Sequence, residues 1–271
     1  MRLIAPLIGS LQATDPDQRW RLAGIWRRSI NLQSSGGAML TLHRIGSGIS
    51  PAGWVLRADD FDRLRQALGP TSRVGSDARS LMLGGYAICS PQRRCSLRLV
   101  PPTTPYRLAA SEMQRAAETG LLGPLWKASM LPLPNELRQF AHAFGVVLDG
   151  QVVDWRVWLG KGPGLTPSHD DTLTGMLLAA WYFGALNLSR AAPFFAASGA
   201  LNEVTTAVSV NYLHYAAMGC FSSPLLHFAH ALSHQRRLDE AIAAVLALGH
   251  TSGADTLLGF WAAQQIIKGT Q

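Results

Sequence analysis

Two short segments of this 271-residue chain combine residue types and spacings that suit the handling of a small anion. The first reads Leu159-Gly160-Lys161-Gly162-Pro163-Gly164-Leu165-Thr166-Pro167-Ser168-His169-Asp170-Asp171-Thr172. Its glycines and prolines specify a tight loop with exposed backbone. Ser168 stands where it would cap a helix beginning near Asp170. The free N–H groups and positive dipole end of such a helix favour an anion. Lys161 adds a mobile positive charge. The loop is not a Walker A sequence, which needs a Lys-Ser/Thr pair after its last glycine.

The second segment is Gly249-His250-Thr251-Ser252-Gly253-Ala254-Asp255-Thr256-Leu257-Leu258-Gly259, and it echoes the first. In each, a glycine is followed by Thr two residues later and by Asp six residues later. A Thr-Leu-x-Gly helix start then follows, displaced by one residue in the first copy. Thr166 and Thr251 are 85 residues apart, too far for a solenoid repeat. The expectation is that two helix N-termini of like construction face one shared site.

Asp170, Asp171 and Asp255, with His169 or His250, have the ligand types of an oxygen-rich metal site. Acids in the first turn of a helix are also what dipole chemistry selects without a metal. The second reading is preferred, so neither a metal nor a cofactor is expected. Thr205 and Ser209 are four apart and share a helix face. With Thr206 they are candidate anion contacts, although hydroxyls on an apolar helix also back-bond to its carbonyls.

The elements that position these residues fall into two textures. Over the first hundred residues, short apolar runs separated by Gly, Ser and Pro predict strands at 29–32, 38–43, 54–56, 81–83, 86–89 and 96–100, with one helix at 60–68. They predict a small, mostly antiparallel sheet or barrel. Pro101, Pro102 and Pro105 mark a boundary. Beyond it, helical spacing predicts helices at 109–118, 135–144, 172–186, 203–219, 225–234, 238–247 and 255–267, with a short one at 154–159. The expected class is α+β, with a β-rich part over residues 1–105 and a helical part over 106–271 that carries both loops.

Composition narrows the function classes. Apolar residues make up 48% and charged residues 15%, against about 25% charged in an average globular protein. Disordered chains show the opposite balance. The net charge is +7, and 21 of the 24 basic residues are Arg. These arginines are scattered through strands and loops with no RNP-like aromatic motif, so no nucleic-acid partner is expected. From Thr172 to Gln235 the formal charges are Arg190 and Glu203. Asn187, Pro193, Asn202, Asn211 and Pro224 break this stretch, so it reads as a buried bundle and no membrane partner is expected. The N-terminal run is interrupted by Pro6 and followed by Asp15 and Asp17, unlike a signal peptide. Three cysteines without metal-type spacing predict reduced thiols and a cytoplasmic setting.

Gly162-Pro163-Gly164-Leu165-Thr166-Pro167-Ser168-x-Asp170-Asp171, Thr205-Thr206-x-x-Ser209 and Gly249-His250-Thr251-Ser252-Gly253 together resemble the AllH family. The resemblance extends to Trp20-Arg21-Leu22-Ala23-Gly24, Leu42-His43-Arg44, Gly53-Trp54-Val55-Leu56-Arg57 and Trp181-Tyr182. His169 departs from the glycine found in many members. The resemblance implies a subunit of an oxamate carbamoyltransferase complex in anaerobic allantoin and purine breakdown. It implies conversion of oxalurate and phosphate to oxamate and carbamoyl phosphate, with other subunits and these small anions as partners. Under it, Lys161, Asp170, Asp171 and His250 would be catalytic. Gly162, Gly164, Thr166, Ser168, His169, Thr205, Thr206, Ser209, Thr251, Ser252 and Asp255 would contact substrate. The Ser-x-Arg-Thr phosphate motif of other carbamoyltransferases is absent. A non-catalytic scaffold or regulatory subunit that binds a small anion is the competing reading.

Overall fold

Alternation of apolar and polar residues drives the strands of the first part of the chain. Ile30 and Leu32 face Leu42 and Leu40 across one hairpin, and all four are fully buried. The computed structural model describes residues 1–116, 118–187, 189 and 193–267. It divides into two units, Met1–Leu97 and Arg98–Gln271.

The first unit comprises β1 (Arg2–Ile4), β2 (Ile8–Ser10), β3 (Trp20–Ile25), β4 (Ser29–Ser34), β5 (Met39–Arg44), β6 (Gly53–Leu56), α1 (Ala58–Ala67), β7 (Val74–Ser76), β8 (Ser80–Leu83), β9 (Tyr86–Cys89) and β10 (Arg94–Cys95). One sheet has the order β1-β9-β8-β7 and the other β10-β2-β6-β5-β4-β3. Trp54, Phe61, Leu64 and Leu81 fill its core. The sheets are mixed, because β1–β9, β2–β10 and β5–β6 pair in parallel. The other five pairings are antiparallel, so the expected mostly antiparallel character holds, with three parallel pairings added to it. Two of the parallel pairs join distant segments, as Gly9 and Arg94 do, and none of the three leaves a hairpin signature. The expected strand at 96–100 is replaced by β10, held by β2.

The second unit holds α2 (Ala110–Arg115), the hairpin of β11 (Thr119–Gly120) and β12 (Gly123–Pro124), α3 (Leu125–Ala128) and α4 (Asn135–Leu148). A short 3-10 turn, Trp155–Val157, leads to α5 (Ser168–Tyr182), followed by α6 (Ala207–Ala217), α7 (Ser223–His234), α8 (Leu238–Leu246) and α9 (Ser252–Ile266). The chain is thus α+β, with strands concentrated at the N-terminal side and helices beyond.

Two helices form the centre of this unit. Every residue of α5 is buried, as are Gly253 to Gln264 of α9. A helix apolar on all sides belongs in a core, and here each helix covers the other. A methyl group added to Gly175 would lie 1.9 Å from the Thr256 carbonyl oxygen, and one added to Gly259 would lie 1.9 Å from that of Thr172. Only glycine permits this reciprocal backbone contact. No helix among the described residues is long and apolar enough to cross a membrane.

Candidate functional site

The loop before α5 is folded against its surroundings by two glycines with positive φ. Gly160 (φ +76°) leaves no room for a side chain against the Val204 carbonyl, and Gly162 (φ +113°) none against the backbone of Ser168. Asp170 stitches the loop to α6. Its Oδ1 accepts the Gly160 N–H at 2.8 Å, while its Oδ2 accepts the hydroxyls of Ser209 (2.6 Å) and Thr205. Thr206 caps α6 by accepting the Ser209 N–H at 3.0 Å and donates to the Leu165 carbonyl. Thr205, Thr206 and Ser209, grouped by the sequence as anion contacts, therefore spend these bonds on the loop. Asp170 is 1% exposed and acts here as a brace.

His169 is packed into the wall of the same loop. Its Nδ1 lies 3.0 Å from the Trp158 carbonyl, its Nε2 lies 3.2 Å from Glu136 Oε1, and its ring stacks on Phe140. Burial lowers its pKa, against the opposing pull of Glu136. Lys161 is exposed, with Nζ 5.4 Å over the Trp158 ring. Ser168 is not the cap that its position suggested. Pro167 occupies the N-cap and Ser168 is the first helical residue, because the Pro167 carbonyl already accepts the Asp170 and Asp171 N–H groups.

The two loops meet. Thr166 Oγ1 lies 3.0 Å from Ser252 Oγ, 86 residues away in sequence. The helices start with one pattern, Ser168…Asp171-Thr172…Gly175 and Ser252…Asp255-Thr256…Gly259. Thr172 donates to the Ser168 carbonyl at 2.8 Å and Thr256 to the Ser252 carbonyl at 2.7 Å. Counting from the glycines had matched Asp170 with Asp255. The helical register matches Asp171 with Asp255 instead, because the first loop is one residue longer.

These two acids are served crosswise. Burial raises the Asp171 pKa well above the carboxylate range; the hydroxyls of Ser252 and Thr166 oppose this, and the negative charge of Asp255 adds to it. Burial also raises the pKa of Asp255, opposed by the Leu121 N–H, which reaches Oδ1 at 2.9 Å, and by the hydroxyls of Ser168 and Thr251. Each helix thus offers its first serine to the acid of the other. The Oδ2 atom of each acid is buried with no hydrogen-bond partner. A carboxyl in such surroundings holds its proton to higher pH, since desolvation penalises the charged form.

The sequence reading missed what secures Asp255 and His169. A side chain on Gly120 would collide with Asp255 Oδ1, and the bond from Leu121 is a backbone one. Neither leaves a side-chain signal, and Glu136 lies on another helix. Gly164 and His250 are exposed, and Thr251 and Ser252 partly so, at the mouth of the paired loops. Among the described residues no group of three or more His, Cys, Asp or Glu is placed to hold a metal ion.

Residues 158–264 match the AllH family, described as oxamate carbamoyltransferase subunit AllH. The resemblance carried by the loops therefore holds over this segment, which includes both loops, α5, α6, α7, α8 and nearly all of α9. No solved structure matches the chain.

Proposed function

We propose that the paired loops supply residues to the carbamoyl-transfer site of an oxamate carbamoyltransferase assembly, shared with partner subunits in the cytoplasm. The family match supports the assembly. The observation that carries the site is the crosswise pairing of two buried acids with serines from the opposite helix. In the reaction, a phosphate oxygen bonds to the carbamoyl carbon of oxalurate and the carbon–nitrogen bond to the oxamate portion breaks. The departing nitrogen takes a proton, giving oxamate and carbamoyl phosphate. Asp171, whose protonated form is favoured by burial, is the donor of that proton. Thr166, Ser168, Thr251 and Ser252 hold the two acids with their hydroxyls. The exposed backbone N–H groups of the Gly162–Gly164 loop face the charge that develops on the carbamoyl oxygen and on phosphate. Lys161 and His250 stand at the mouth, where Lys161 neutralises phosphate, and Gly162 and Gly164 let the backbone approach it.

A scaffold reading is favoured by one observation. Asp170, Asp171 and Asp255 are all at least nine-tenths buried, as members of a clasp between helices would be. Reconstitution with partner chains separates the two readings. In the assembly, Asp171→Asn is expected to lower turnover by about a hundredfold or more, as loss of a transition-state donor does, and Thr251→Ala, which takes a hydroxyl from Asp255, by a smaller factor, with assembly intact. Full turnover in correctly assembled variants would leave the scaffold reading standing.

A further inference from the structure

A second concave site lies at the other end of α5. A cavity of about 590 Å³ is bounded by residues 98–104 and Tyr106, by Tyr182 and by one face of α7 from Leu226 to His234. Small-molecule sites span about 300–1,000 Å³. Fourteen residue steps separate Ser168 from Tyr182, about 21 Å at 1.5 Å per step, and the cavity shares no residue with the paired loops.

Its lining divides by chemistry. Leu99, Pro101, Pro102 and Leu226 make an apolar wall, and among the described residues no Asp or Glu lines the cavity. Arg98 stands at the rim, where its Nη1 donates to the Met218 carbonyl at 2.8 Å and fixes the guanidinium. The imidazoles of His230 and His234, one helical turn apart, lie 4.1 Å apart between centroids. Tyr182 closes the floor and is 1% exposed. Its hydroxyl accepts the Tyr106 N–H at 3.2 Å. Burial pushes the phenol up to about 12, so it keeps its proton as a donor. A cleft with one fixed cation, two imidazoles, a buried hydroxyl and no carboxylate selects against cations and neutral apolar molecules alike.

We infer that this cleft binds a carboxylate carried on an apolar body, with the charged group between Arg98, His230 and the Tyr182 hydroxyl and the body against Pro101, Pro102 and Leu226. This site is separate from the proposed transfer site and its test does not depend on that reading.

Titration calorimetry of the full chain with benzoate, phenyl phosphate and benzyl alcohol tests the inference. Benzoate is expected to bind saturably at one site, with benzyl alcohol at least about tenfold weaker. Arg98→Gln should weaken benzoate by about tenfold and Tyr182→Phe by about fivefold, the scale of a lost hydrogen bond to a charged group. If Tyr182→Phe fails to fold, the exposed changes Arg98→Gln and His230→Gln carry the test. Equal binding of benzoate and benzyl alcohol, or unchanged affinity in Arg98→Gln, would overturn the proposal. Phenyl phosphate binding more tightly than benzoate would overturn the carboxylate assignment.

Discussion

The starts of α5 and α9 share one pattern of Ser, Asp, Thr and Gly, yet they are anchored by different means. In the first turn of α5, Asp170 gathers a backbone N–H from the loop and two hydroxyls from a third segment, and His169 stacks on an aromatic wall. At the two matching positions in the first turn of α9 stand Gly253 and Ala254. There the chain is held by close approach, since a side chain on Gly253 would lie 2.0 Å from the Val245 carbonyl of α8. One helix start is fixed by charge-assisted hydrogen bonds and the other by backbone packing. The feature common to both, a buried acid served by the opposite serine, does not depend on either anchor. A property that survives a change of anchor belongs to the pairing itself.

The strongest test of this contrast is Asp170→Ala. It would strand the Gly160 N–H and the Thr205 and Ser209 hydroxyls, and we expect a loss of about 3–4 kcal/mol in urea unfolding. A loss below about 1 kcal/mol would mean that the α5 loop, like the α9 loop, is held by packing. Gly175→Ala and Gly259→Ala are expected to cost about 2–3 kcal/mol each, because either methyl group must push the two helices apart. Near-equal costs would confirm that the helices meet symmetrically, whereas a difference above about 1 kcal/mol would break the equivalence.

A third test uses pH. A carboxyl with a raised folded-state pKa binds more protons folded than unfolded, so stability falls as pH rises from about 4 through the raised range and is level above it. Asp171→Asn removes this loss. The variant should be more stable than the parent at neutral pH, with the gap closing towards pH 4. Asp255→Asn should show the same sign and a smaller gap, since the Leu121 N–H offsets part of the burial. Unfolding midpoints measured across pH decide this, and a gap that widens on acidification would contradict it. The smallest effect expected is at Thr166–Ser252. Each of Thr166→Val and Ser252→Ala should cost about 1 kcal/mol. Their double-mutant cycle should show coupling of at least about 0.5 kcal/mol, since the two hydroxyls are in contact.

Much of this molecule was legible from local pattern. Apolar alternation placed β4 and β5, helical spacing placed α7 and α8 within two residues of their observed ends, and the repeated Gly-x-Thr segments pointed to two loops at one place. These features depend on near neighbours in the chain, where residue type and spacing determine conformation directly. Other features had no local signal. Parallel pairing of β2 with β10 joins segments more than eighty residues apart, and the bond from Leu121 to Asp255 comes from a peptide group that every non-proline residue carries. Adjacent acids show the division most clearly. Asp170 and Asp171 are one residue type one position apart, yet successive helical positions point about 100° apart. Helix geometry turned Asp170 towards hydroxyls of a third segment and Asp171 towards the opposite helix, where burial left one oxygen of its carboxyl unpartnered. The sequence by itself determined that acids would cluster at two glycine-rich helix starts. Only the packing of α5 against α9 decided which acid braces the loop and which has its pKa raised by burial, because that choice depends on what lies across the interface.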